Sequence, residues 1–360
     1  MTRARSQSIP PRPQRLGAQT FDAAELAREH PPRLRVANKQ LVYDIACPNG
    51  QDDSGAVHCS RWAALAIDSL IWPGSEAVEL RVHQGVFDYA DAKDAVSWTL
   101  NFAHSDLFCA YGGPHFAQDE IQVAEHPALA SVREALLAYF TGRDERRRAS
   151  MSEPARALAD GMLPCTVVAG RPTPVLIAGA PRRCVVATDI DPARGRPLGL
   201  YGRRFARASP EVVRMATTRL VPPTRSNILA MEAPACLRGV YTEEQLHHIL
   251  ETAITGFSAA RAVSGELAPG RATMIHTGYW GCGAYGGDRT LMAMLQLVAA
   301  ATSGIERVVF HVVDRQGRET FARASAALDT LAGELAPAPM SEMIACLAAM
   351  GFRWGVSDGN

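Results

Sequence analysis

The chain has 360 residues and a mass of 38.7 kDa, enough for one large domain with an accessory region or for two modest domains. Hydrophobic residues at 47% and charged residues at 21% exclude wholesale disorder. Lys+Arg and Asp+Glu both count 37, which argues against a generic nucleic-acid binder living on surplus basic charge. In chain order, residues 1–20 read as a tail, with four arginines, three prolines and no acid up to Phe21. That stretch lacks the apolar run of a secretory signal. Phe21 to His30 has helical spacing and stops before Pro31-Pro32. Cys59 to Leu70 reads as an amphipathic helix with Ser60 as its cap. Residues 21–75 are therefore expected to be a helical accessory region, and 76–360 the main domain.

Strand-like runs follow at Ala77 to Phe87 and Ala95 to Phe102, both rich in β-branched and aromatic residues. Asp119 to Phe140 is helical in pattern, with a break or restart at Pro127. Gly142 to Ser150 is a charged surface turn. Short strands are expected at 166–169, 175–177, 184–187 and 227–231, with an exposed arginine- and glycine-rich loop over 193–209. A long helix spans about 242–262. Strand 272–276, a glycine loop at 278–287, helix 288–302 and strand 307–313 form a βαβ unit; helices at 321–335 and 340–350 close the chain. The pattern is α/β, and ligands in such sheets sit beyond the carboxyl ends of strands.

The arginine bias leaves Lys39 and Lys93 as the lysines of the sequence, so a lysine-based mechanism has few candidates. Eight cysteines lie far apart without C-x-x-C, which suits a reducing cytosol and indicates no zinc ribbon. No 18-residue apolar run is present, so no membrane span is expected. No ligand-spaced cluster suggests a metal.

Two stretches carry chemistry. Thr277 to Asp288, TGYWGCGAYGGD, puts five glycines within ten residues between a strand and a helix. Glycine admits positive φ and close backbone approach, and the helix start adds free N–H groups, so the stretch suits a phosphate or diphosphate. It is neither a P-loop nor a dinucleotide fingerprint. A ligand-free tight turn remains the other reading, and Trp280 and Tyr285 either stack on a ligand or fill the core. Tyr111 to Ile121, YGGPHFAQDEI, sets Gly112-Gly113-Pro114 before Gln118 and the adjacent acids Asp119 and Glu120 at a helix start. The helix dipole there would keep the acids ionised. They either hold a sugar hydroxyl and shuttle a proton or form an acidic surface helix end. His104 and His115 are either ligand contacts or structural.

Together these stretches resemble the poly(ADP-ribose) glycohydrolase family, whose catalytic domain is a three-layer α/β/α macrodomain-like mixed sheet. The family loop reads T-G-N-W-G-C-G-A-F-G-G-D, against T-G-Y-W-G-C-G-A-Y-G-G-D here. Its Gln-Glu-Glu signature appears as Gln118-Asp119-Glu120, its D-F-A-N strand end as Asn101-Phe102-Ala103-His104, and its E-I-V-A-I-D-A segment as Asn227 to Ala233. The resemblance covers roughly 77–314.

It implies that Glu120 is the catalytic glutamate and that Asp119 helps bind the distal ribose. Gly278, Tyr279, Trp280, Gly281, Cys282, Gly283, Ala284 and Tyr285 would wrap the diphosphate and distal ribose. Asp88 would accept from the adenine amino group, and Asn101, His104, Gly112, Gly113 and Gln118 would complete the ligand contacts. The partner implied is ADP-ribose or an ADP-ribosylated protein, with no cofactor, no metal, no sequence-specific nucleic acid and no membrane, in the cytoplasm. The family's three glycines ahead of its acids fall on Phe108-Cys109-Ala110 if the length from the strand is kept. Glu120 is expected to protonate the leaving oxygen and then activate water, on condition that the two stretches converge. The alternatives are a binding module without hydrolysis and a hydrolase of another ADP-ribose adduct.

Overall fold

The computed structural model describes residues 10–51, 54–75, 78–90, 92–140, 161–234 and 237–358. The charged turn expected at 142–150 lies outside them. Among the described residues no helix is long and apolar enough to cross a membrane.

The first strand, β1 (Arg15–Asp22), runs directly into α1 (Ala23–Glu29), which Asp22 caps by accepting from the Glu25 N–H at 2.9 Å. Helix α2 (Ala37–Ala46) and strand β2 (Ala56–Trp62) follow, then β3 (Glu79–Gln84) and β4 (Ala95–Ala103). Helices α3 (Gln118–Glu125) and α4 (Pro127–Phe140) are separated where Pro127 opens a new helix. Next come β5 (Val175–Val186), the short α5 (Arg204–Arg207), α6 (Pro210–Ala216) and β6 (Thr217–Glu232). The chain continues with α7 (Glu243–Leu267), β7 (Ala272–Thr277), α8 (Arg289–Ser303), β8 (Arg307–Val312), α9 (Arg315–Leu335) and α10 (Met340–Ala349).

These elements fall into two compact units. The acid-bearing unit comprises residues 15–62 and 99–232. Its strands run in the order β1-β2-β5-β6-β4; the first three pairs are antiparallel, and β6 with β4 is parallel. One of its cores joins Val42 and Ala46 of α2 to Phe116, Val186, Phe205 and Val213, with Phe116 and Phe205 stacked at 3.7 Å. The loop-bearing unit holds the described residues of 1–14, 63–98 and 233–358. Its strands run β7-β8-β3, all parallel. Strand β4 is divided between the units at Trp98 and Thr99.

Several expectations need correction. The segment 59–70 is not a helix: Ala56–Trp62 is β2, and Ser60 pairs with Ala18 of β1 and Leu176 of β5 rather than capping anything. The residues read as a tail and helical accessory region thus supply two sheet strands besides α1 and α2. Strands 175–177 and 184–187 are one long strand, β5, whose register shifts between Ile177 and Ala180, at Gly179 with φ +77°. The loop at 193–209 contains a 3₁₀ turn, Pro192–Arg194, and α5.

Candidate functional site

Gln118 fixes the acid pair in place. Its Oε1 accepts from the Phe102 N–H at 2.7 Å and its Nε2 donates to the Leu100 carbonyl at 3.1 Å. The amide side chain thereby supplies a missing strand partner along the end of β4 and pins the start of α3 there. Asp119 and Glu120 are each 7% exposed, which removes the reading of an acidic surface helix end. Asn101, fully buried on β4, donates from Nδ2 to Asp119 Oδ1 at 3.0 Å. Glu120 Oε2 accepts from the Ala117 N–H at 2.8 Å, meeting an otherwise open donor of the first turn.

Burial, and next the neighbouring Glu120 carboxylate, raise Asp119 well above the usual carboxylate range, despite the Asn101 hydrogen bond and the Lys39 charge. The helix dipole does not keep Asp119 ionised as expected. Desolvation outweighs it in this setting.

A buried lysine lies close to the pair. Lys39 of α2 is 3% exposed, and its Nζ donates to the Tyr111 carbonyl at 2.6 Å and the Ala110 carbonyl at 3.3 Å. Burial lowers its pKa to about 8 against the opposing pull of Glu120 and Asp119. The ammonium is thus a buried counter-charge to the pair. Only its scarcity in this arginine-rich chain could have marked it.

In the loop from 104 to 117 the backbone turns left-handed at Phe108. Phe108, where the offset places a glycine, has φ +56° and is fully buried. An aromatic side chain there fills space that a glycine would leave open. Gly112 meets a different need: a Cβ on it would lie 2.3 Å from the Arg33 carbonyl oxygen, and its own carbonyl accepts from Arg35 N–H at 3.0 Å. Gly113 closes a turn onto Ala110 at 2.9 Å. His104 is exposed, and its Nδ1 accepts from the Asp106 N–H at 3.0 Å, a local turn cap. Gly112 and His104 are thus engaged by the protein itself.

In the loop-bearing unit, β7 ends in the glycine loop and α8 begins after it. Buried Gln296 donates to the Gly278 carbonyl at 3.0 Å and accepts from the Thr277 hydroxyl. Gly281 takes φ +74°, and its carbonyl accepts from Gly287 N–H at 2.9 Å. Asp288 caps α8 by accepting from Leu291 N–H at 2.9 Å, while its own N–H donates to the Tyr241 hydroxyl at 2.9 Å. The Asp288 carboxylate already meets the positive end of α8, so the capacity for an anion lies in the loop amides.

Three loop members serve the fold. Trp280 is fully buried and belongs to the core. Tyr279 donates its hydroxyl to the Gly317 carbonyl, packs edge-on to Phe310 at 5.2 Å, and carries Arg289 over its ring at 5.2 Å. Cys282 Sγ lies 3.6 Å from the Trp280 carbonyl, and burial pushes its thiol far up. Gly281, Gly283, Ala284 and Tyr285 are half-buried. Asp88 is exposed, and its carboxylate lies near His276 and His311.

The structure brings Asn101, Gln118, Asp119 and Glu120 together in the acid-bearing unit; the glycine loop and Asp88 belong to the loop-bearing unit. Strands of mixed direction with a glycine-rich strand-to-helix loop place the protein among the layered α/β folds. Residues 201–319, about a third of the chain, match the model of the family described as poly(ADP-ribose) glycohydrolase (PARG), macro domain fold. That segment contains the whole glycine loop but not the acid pair. Among solved structures, poly(ADP-ribose) glycohydrolase from Deinococcus radiodurans in complex with ADP-ribose is similar at 15% identity and a TM-score of 0.42. The match covers 87% of this chain and 95% of that one. The same protein in apo form gives 15% identity, a TM-score of 0.39, and coverage of 87% and 94%. A comparison with curated proteins gives no match.

Proposed function

We propose that this protein is a hydrolase that releases ADP-ribose by cleaving an O-glycosidic bond at C1 of its ribose. The observation that carries the reading is the buried Asp119–Glu120 pair, held to the end of β4 by Gln118 and Asn101. The family match over 201–319 supports the class of ligand.

In the proposed reaction the C1–O bond breaks as Glu120 gives its proton to the leaving oxygen. The positive charge that develops on the ribose is met by Asp119 and by the ligand's own diphosphate. Glu120, now ionised, takes a proton from water as the water oxygen bonds to C1, and so returns to its starting state. Burial raises Asp119 and favours a proton on it near neutral pH; in the proposed reaction that proton passes to Glu120 when the ligand binds, which leaves Asp119 ionised to meet the ribose charge.

Glu120→Gln should lower ADP-ribose release from an ADP-ribosylated protein by about 10²–10⁴-fold while calorimetric affinity for ADP-ribose stays within a few-fold. Equal loss of binding and turnover would remove Glu120 from the chemistry. A second reading, a module that binds ADP-ribose without cleaving it, is favoured by Phe108 filling the first loop and by Tyr279 being tied to Gly317. Binding by the natural sequence with no product would decide for the module.

A further inference from the structure

We propose that Asp88, His276 and His311 form a binding site for a divalent transition-metal ion of the zinc type, distinct from the acid pocket. The register of the parallel strands produces the cluster. His276 on β7 lies opposite Val309 of β8, so His311, two residues on, shares its face; His311 in turn lies opposite His83 of β3. The chain leaving β3 then returns Asp88 to these imidazoles. Asp88, His276 and His311 each offer one ligand atom, and the three atoms lie within 4.8 Å of one another.

The ring chemistry favours a cation. His311 Nδ1 lies 3.1 Å from the Val86 carbonyl, so it carries the proton and leaves Nε2 as a lone pair. A backbone carbonyl on the far ring nitrogen is the arrangement that orients metal-bound imidazoles. His311 Nε2 lies 3.1 Å from His276 Nδ1. Two nitrogens on one tetrahedral zinc, with Zn–N near 2.0–2.1 Å, sit about 3.3 Å apart, so a small adjustment admits the ion.

Two imidazoles and one carboxylate suit zinc and its first-row neighbours, and the exposed Asp88 side leaves a fourth position for water or a ligand group. The residues stand far apart in sequence, so no metal motif is visible there. The site gives Asp88 a role other than the adenine contact implied by resemblance.

The test uses the full chain, stripped with chelator and titrated with Co²⁺ by visible absorption and with Zn²⁺ by calorimetry. The expected result is about one ion per chain, with a cobalt spectrum of tetrahedral intensity. Asp88→Ala should weaken binding at least tenfold, whereas His247→Ala, in a separate His247–Asp68 pair at 3.1 Å, should not change it. Asp88 is exposed, so its variant keeps the fold, and thermal melts verify this; His311→Ala is the second arm. Absence of stoichiometric cobalt, a weak six-coordinate spectrum, or undiminished binding by Asp88→Ala overturns the site. Metal binding is read without turnover, so its failure and that of the hydrolase reading are separable.

Discussion

At the start of α3 the chemistry rests on side chains, while at residues 277–288 it rests on backbone. The acid pair survives burial because neighbours from two other stretches, Asn101 and Lys39, supply a hydrogen bond and a counter-charge. The glycine loop needs no such charges: positive φ at Gly281, the Gln296 amide and the Gly281–Gly287 bond fix its path. The two regions also differ in legibility. A backbone device demands particular glycines at particular offsets, and it falls inside the family match. A side-chain device can be built with other props, and it lies outside that match.

The largest effects should come from crowding the two backbones. Gly112→Ala sets a methyl 2.3 Å from the Arg33 carbonyl oxygen, and Gly281→Ala sets one 2.5 Å from Ala233 Cβ at a φ of +74°. Each should cost about 3 kcal/mol or more in denaturant unfolding. A cost below about 1 kcal/mol at Gly112 would mean that residues 33–35 do not brace the loop. Lys39→Met comes next, at about 1–3 kcal/mol, because the Tyr111 carbonyl loses its charged donor. The natural protein gains stability from this group as pH rises from about 8 towards the unfolded lysine value of 10.5, since the unfolded chain then binds the extra proton; the variant should lose that rise.

Asp119→Asn should act in the opposite sense. A carboxyl raised on folding stabilises most at pH below its unfolded value and loses that contribution as pH climbs to its folded one. The amide variant should therefore be flatter between acid and neutral pH and more stable near neutrality, by about 1–2 kcal/mol. Lower stability at neutral pH would show that the carboxylate is welcome in the pocket. Gly283→Ala should change stability least, under about 1 kcal/mol, because its methyl meets the carboxylate end of Asp358 at 3.0 Å. ADP-ribose affinity should nonetheless fall if the loop amides hold the diphosphate.

The βαβ segment from Ala272 to Val312 was legible because glycines, an aspartate cap and apolar runs all point to one local structure. Pro127 likewise announced the break between α3 and α4. Other features depend on distant partners. The periodicity of Cys59 to Leu70 fits a helix, but pairing with β1 and β5 makes its first residues a strand. Helix α2 lacks a side-chain cap and buries Asn38 and Lys39 with Val42 and Ala46, so no clean apolar stripe betrays it. The burial of Asp119 and the meeting of His276 with His311 arise only from pairing and packing.

The far end of the chain, which carries none of the family resemblance, is tied to the glycine loop. Gly355 donates to the Gly286 carbonyl at 2.8 Å, Asp358 to the Gly283 carbonyl at 3.4 Å, and Trp354 stacks on Tyr241 at 4.1 Å. A purification handle fused after these residues would therefore begin beside the loop that the ligand assays interrogate. Placing the handle at the opposite terminus, or cleaving it off before calorimetry, keeps a weak titration from being mistaken for a property of the loop itself.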